Sequence, residues 1–158
     1  MGKTTPCLWF DTQAEEAANF YTSIFKNSRI KQITHYGEFA AQIGKSKGQV
    51  MTVLFELNGQ EFMGLNGGPN FKFSEAISFM VNCDDQEELD YFWDKLGQGG
   101  RPVECGWIQD KFGLSWQIVP KILPELMSDP EKTERVMVEV MQMVKLDIET
   151  LKRAAAGK

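Results

Sequence analysis

The apolar positions of this chain fall into two periodic regimes, one near two residues and one between three and four. Cys7-Leu8-Trp9-Phe10 is short, apolar and aromatic, which suits a buried strand. Asp11 follows it. Ala14 to Phe25 then carries Ala17, Phe20, Tyr21 and Ile24 at helical spacing, and Glu15 and Glu16 sit where a helix N-terminus favours anions. Arg29 to Tyr36 and Gln49 to Leu57 read as strands. The second is nearly continuous in apolar character, as expected of a central strand. Asn58-Gly59 is a strong short hairpin signal, leading into Glu61 to Leu65 as the partner strand. Asn66-Gly67-Gly68-Pro69 then interrupts the pattern.

The same order recurs in the second half. Ala76 to Val81 reads as a strand, and Gln86 to Leu96 as a helix with Leu89, Phe92 and Leu96 along its apolar stripe. The acidic run from Asp84 to Asp90 is explained as capping and dipole compensation at that helix start. Glu104 to Gln109 and Leu114 to Val119 read as strands around an Asp110-Lys111-Phe112-Gly113 turn. An offset of 71 positions places Leu8 on Phe79, Phe10 on Val81, Glu16 on Glu87 and Phe25 on Leu96 without a gap. This predicts an internal duplication. The turn glycines Gly59 and Gly113 are only 54 apart, so the second copy is shortened through its middle. The fold class is therefore α+β: two β-α-β-β-β modules in one domain, spanning about 5–68 and 74–120, with a helical tail over 121–158. In the tail, Ser128-Asp129-Pro130-Glu131 predicts a Ser/Glu capping box. Val136, Met137, Val140, Met141 and Val144 form a stripe expected in packing, including at a dimer seam, and Asp147 is expected to cap a last short helix through Ala154.

Composition narrows the functional classes. Of 158 residues, 17 are Lys or Arg and 22 are Asp or Glu, giving a net charge of −5 with no basic block. That excludes the usual electrostatic footprint of nucleic-acid binding and gives no attraction to an anionic membrane. Three cysteines with no Cys-x-x-Cys fit neither a disulfide framework nor a zinc knuckle, and point to a reducing cytoplasm. The first residues lack an apolar signal region, and no apolar run approaches the ~18 residues of a membrane span.

Specific strings add to the pattern. Trp9-Phe10-Asp11 with Ala14-Glu15-Glu16-Ala17, Gly64-Leu65-Asn66-Gly67-Gly68-Pro69, Phe71-Lys72-Phe73, Cys105-Gly106-Trp107, Asp110-Lys111-Phe112-Gly113 and Ser115-Trp116-Gln117-Ile118-Val119-Pro120 resemble the PhnB-like branch of the vicinal oxygen chelate superfamily. That branch carries the name demethylubiquinone methyltransferase-like, and its superfamily includes glyoxalase I, bleomycin-resistance proteins and extradiol dioxygenases. The tail string Met141-Gln142-Met143 with Leu146-Asp147-Ile148 agrees. The resemblance implies a homodimer in which each βαβββ unit curves its sheet around a cavity.

It also implies where a divalent metal would sit in an enzyme of the superfamily: one ligand near the start of the first strand and one on the fourth strand of each repeat. Those positions fall on Thr5 or Pro6, Met63, Ala76 and Gln117. Only Gln117 could ligate, weakly, so no cofactor is expected and a metal-dependent lyase, isomerase or dioxygenase is the alternative reading. His35, the lone histidine, reads as an ordinary strand residue. Cys83 reads as structural, and Cys7 and Cys105 as thiols with no adjacent cation to activate them. Strand alternation puts Leu8 and Phe10 toward the helix, with Ile77, Phe79 and Val81 as their counterparts. The opposite, cavity-facing set is Cys7, Trp9, Met63, Met80, Cys105 and Trp107, joined by either Phe62 or Trp116 according to register. Glu56, Ser78, Ser115 and Gln117, with Asn66, are the polar candidates. Such a set predicts a binder of an apolar or aromatic small molecule. The Gly67-Gly68 and Gly97–Gly100 clusters do not stand between a strand and a following helix, so no S-adenosylmethionine motif is present.

Overall fold

The computed structural model describes residues 2–158. The chain forms two compact units, residues 1–72 and 73–158. The first contains β1 (Cys7–Phe10), α1 (Ala14–Ile24), β2 (Arg29–His35), β3 (Val50–Leu57) and β4 (Gln60–Asn66), with a 3-10 turn at Glu38–Ile43. Its sheet runs β1-β4-β3-β2, with β1 parallel to β4 and the other pairs antiparallel. β1, β3 and β4 each bury one face on α1. Leu8 and Phe10, Val53, Phe55 and Leu57, and Phe62 pack with Ala14, Ala17, Ala18, Tyr21 and Ile24 of the helix, all buried. The small residues let α1 approach closely: a Cβ on Gly64 would lie 3.1 Å from that of Ala14. Tyr21 and Phe62 both stack on Phe55, at 6.2 and 5.5 Å between ring centroids. The Asn58-Gly59 hairpin turns with both residues at positive φ, 47° and 86°, as a type I′ turn requires.

The α1 N-terminus is capped from across the unit. Gln13 provides no side-chain cap, and Asn66 Oδ1 on β4 accepts from Ala14 N at 2.8 Å instead. Asn66 Nδ2 donates to Val50 O, and the Tyr36 hydroxyl donates to Asn66 O at 2.6 Å. Asn66 is thereby buried on the helix side of its sheet, a correction to its expected place as a cavity contact.

The second unit repeats the order: β5 (Ser78–Cys83), α2 (Gln86–Gly97), β6 (Arg101–Pro102), β7 (Trp107–Gln109) and β8 (Ser115–Pro120), arranged β5-β8-β7-β6 with β5 parallel to β8. Phe79, Val81, Cys83, Trp116 and Ile118 occupy the α2 side of the sheet, opposite Leu89 and Leu96. Both Phe62 and Trp116 are thus helix-side core residues, and neither lines the other face. The expected strand from Ala76 starts two residues later, because β5 pairs register for register with β8 from Ser78↔Ser115 onward. Ile77 therefore stays in the preceding bend, 69% exposed, rather than on the helix side. The expected strand over 104–109 is shortened to Trp107–Gln109. β6 forms earlier, and Glu104, Cys105 and Gly106 turn into β7 with Cys105 and Gly106 at φ 61° and 83°.

Three helices complete this unit: α3 (Leu123–Leu126), α4 (Pro130–Val140) and α5 (Ile148–Ala155). Asp129, not Ser128, caps α4, its carboxylate accepting from Lys132 N at 2.8 Å with Pro130 in the first turn. Asp147 caps α5 through Thr150 N, and Asp85 caps α2 through Glu88 N. The tail stripe divides: Val136 and Val140 are buried, whereas Met137, Met141 and Val144 are exposed. Gln86 ties the tail to α2 by accepting from Ile148 N and donating to Leu146 O. No helix of the described residues is long and apolar enough to cross a membrane.

Candidate functional site

In each unit the face of the sheet away from its helix carries most of the sequence-nominated residues. In the first unit the register sets Leu54, Met63 and Cys7 in one row across β3, β4 and β1, and Leu65 beside Trp9 in the next. Trp9 is half-buried under its own chain. Its indole N–H donates to Gly68 O at 2.9 Å, its ring meets Phe71 edge-on at 4.9 Å, and Gly67 presses against it. Glu56 faces Glu61 across the hairpin, and Lys31 serves both carboxylates, at 3.7 and 2.7 Å. The Lys31 hydrogen bond holds the Glu61 carboxyl below the usual carboxylate range, and the same bond raises Lys31. A cavity of about 400 Å³ opens here, lined by Lys3, Thr4, Lys31, Glu56, Gln60 and Glu61. It is polar, unlike the Trp9 wall.

In the second unit Gln117 lies between Met80 and Trp107 as direct cross-strand neighbours, and Ser115 lies between Ser78 and Gln109. Gln117 Nε2 donates to Ser78 Oγ at 2.9 Å. The carbonyl oxygen of Gln117 and the indole N–H of Trp107 have no partner among the described residues. Met80 is 55% exposed, Trp107 and Gln117 are half-buried, and Ser115 is buried. The row Met80–Gln117–Trp107 contains no charged side chain.

The cysteines separate by environment. Cys7 is exposed on edge strand β1, and partial burial of its thiol pushes it up. Cys83 ends β5 in the core. Burial, then Glu88, Asp84 and Asp85, push its thiol up to about 12. Cys105 stands off the strand in the turn, its N–H donating to Met143 O and its Sγ 3.8 Å from Met141 Sδ. The structure does not bring it to Gln117's row. His35 ends β2, exposed, opposite Val50.

The residues at the metal positions implied by the resemblance do not fit a divalent ion. Met63 lies between Cys7 and Leu54, and Gln117 has a hydroxyl, a thioether residue and an indole around it. No group of three or more His, Cys, Asp or Glu side chains among the described residues is placed to hold a metal.

Two features escaped the sequence reading. Glu61 beside Glu56 was legible in principle, because the Asn58-Gly59 turn makes those positions opposite. Lys31 was not: a register shift between Ile30 and Gln32 decides where it points.

Comparison with known proteins yields one family. The family described as 3-demethylubiquinone-9 3-methyltransferase matches residues 2–119. The solved structure of a Bacillus cereus PhnB protein, described under the same methyltransferase name, is 39% identical; the match covers 75% of this chain and 98% of that one, with a TM-score of 0.67. Protein PA1353 from Pseudomonas aeruginosa is 16% identical over 76% of this chain and 97% of its own, with a TM-score of 0.59. The fosfomycin resistance protein FosX from Listeria monocytogenes is 16% identical over 80% and 96%, with a TM-score of 0.53. The last two share the fold. A search of the curated proteins found none that matches.

Proposed function

The chain belongs to the 3-demethylubiquinone-9 3-methyltransferase family, the PhnB-like branch of the glyoxalase fold, and on that premise we propose that it binds a neutral, flat, apolar or aromatic small molecule. The ligand lies on the open face of the second sheet. The observation that carries this is the uncharged row Met80–Gln117–Trp107, which offers aromatic and thioether surface beside unsatisfied polar atoms. The Gln117 carbonyl accepts a hydrogen bond, and the Ser78 hydroxyl, already accepting from Gln117, has its proton to donate. Trp107 supplies a further N–H. With no counter-charge in the row, a charged ligand would lose its hydration without compensation.

Methyl transfer is not part of this reading. Gly67-Gly68 leads from β4 into residues without helix before β5, and Gly99-Gly100 leads from α2 into β6. Neither forms the strand-to-helix turn that cradles a nucleotide-like cofactor. The reading also takes the protein as a cytoplasmic homodimer, so sedimentation should return twice 17.9 kDa.

The test is a thermal-shift screen with neutral phenols, naphthols and quinones, repeated on Gln117→Ala and Trp107→Ala. Binders should raise Tm in the parent protein and lose most of that shift in both variants. A shift retained in both, or none from any compound, refutes the proposal. Stoichiometric divalent metal surviving dialysis, by elemental analysis, would favour the metal-dependent lyase, isomerase or dioxygenase instead.

A further inference from the structure

The shortening of the second repeat falls on β6, on β7 and on the connection between them. β2 has seven residues, whereas its counterpart β6 has two. Where β6 stops, a groove of about 500 Å³ opens beside the end of α2, lined by Trp93, Asp94, Lys95, Gly97, Pro102 and Ile108. That volume is in the range of small-molecule sites.

Its chemistry points in one direction. Trp93 is a half-buried wall whose indole makes no hydrogen bond with any described residue, and the repeat offset puts Thr22 at the matching place in the first unit. An indole face is the strongest side-chain surface for a cation. Asp94, next to it, is exposed and forms no ion pair with any described residue, its neighbour Lys95 included. The groove lies at the C-terminal end of a 12-residue helix, the negative pole of its dipole. Aromatic face, free carboxylate and helix pole all favour positive charge, and Lys95 alone opposes it.

We propose that this groove binds a small organic cation, an alkylammonium whose charge rests over Trp93 and pairs with Asp94. The site is separate from the Gln117 row, and neither reading depends on the other.

The test uses the full ¹⁵N-labelled chain and choline, with the neutral isostere 3,3-dimethylbutan-1-ol as control. The Trp93 indole resonance, assigned with Trp93→Phe, should shift saturably with choline and at least about tenfold more weakly with the alcohol. Asp94→Asn should weaken choline about fivefold, and Lys95→Gln should tighten it. Asp94 is exposed, so its variant leaves the core intact, as an unchanged Tm would show. Equal response to the alcohol, choline binding unchanged in Asp94→Asn, weakening in Lys95→Gln, or no saturable shift would each overturn the proposal.

Discussion

Gly67 shows how a loop glycine holds the Trp9 wall in place. It has ordinary backbone angles, so alanine is conformationally allowed there. The obstacle is steric: a Cβ would lie 2.2 Å from Trp9 Cζ2 and 2.4 Å from Cε2 and Cη2. The indole must move, and it can move only by leaving the Gly68 carbonyl and the Phe71 edge. Overpacking costs about 1–3 kcal/mol, the lost hydrogen bond about 1 kcal/mol and the aromatic edge about 0.5–1 kcal/mol. These overlap, so Gly67→Ala should destabilise by about 2–4 kcal/mol. Urea unfolding followed by circular dichroism would measure it, in a cycle with Trp9→Ala. With the indole gone the three atoms nearest that Cβ go with it, and most of the cost should vanish. A cost below about 0.5 kcal/mol, or an equal cost with and without Trp9, would refute the reasoning. Gly59→Ala makes the contrast: its added Cβ meets open space, but φ is +86°, so the expected cost, about 1 kcal/mol, is conformational and independent of Trp9.

Four further predictions rest on three separate observations. Asp110 is buried and accepts from Phe112 N, Leu114 N and Trp116 Nε1, so Asp110→Ala should cost more than about 3 kcal/mol by urea unfolding; a change under about 1 kcal/mol would contradict its structural role. With Cys83 pushed up to about 12, Ellman's reagent at pH 8 should titrate Cys7 and Cys105 in the native protein and Cys83 only after denaturation. The raised Cys83 value also contributes stability below its unfolded value near 9 that is lost as pH rises toward about 12, so the Cys83→Ala variant should show a shallower alkaline decline in Tm. The Asp147 carboxyl is held down by the Thr150 N–H, so its capping contribution is present above its unfolded value near 3.8 and lost as pH falls through the lower folded one. Asp147→Ala should therefore cost about 1 kcal/mol at neutral pH and nothing once the parent cap is protonated, read as converging melting curves on acidification.

Much of the architecture is legible because side-chain period follows backbone geometry. The alternation through Leu8 and Phe10 separates the helix side from the open side of β1, and the 71-residue offset carries the same parity to β5. Met80, Gln117 and Trp107 share a face for that reason. The places where this reading fails are the places where parity is interrupted. Cys105 reads as a strand residue but lies in a left-handed turn, because backbone bonds from Cys105 and Gly106 to Met143 and Val144 of the distant tail hold that turn. Ser128 and Asp129 are both capable caps, and the first proline-compatible turn selects the second.

What the amino-acid order determined by itself is local: helix stripes, the hairpin at Asn58-Gly59, the duplicated module and the uncharged row facing away from α2. These follow from periodicity and turn chemistry, which act over a few residues. Tertiary structure decided what no local signal encodes. Asn66 caps a helix 52 residues earlier in the chain, Lys31 reaches two carboxylates through a strand irregularity, and Gly67 is fitted to Trp9. Each depends on atoms far apart in sequence meeting at hydrogen-bond or van der Waals distance, and only the folded sheet brings them together.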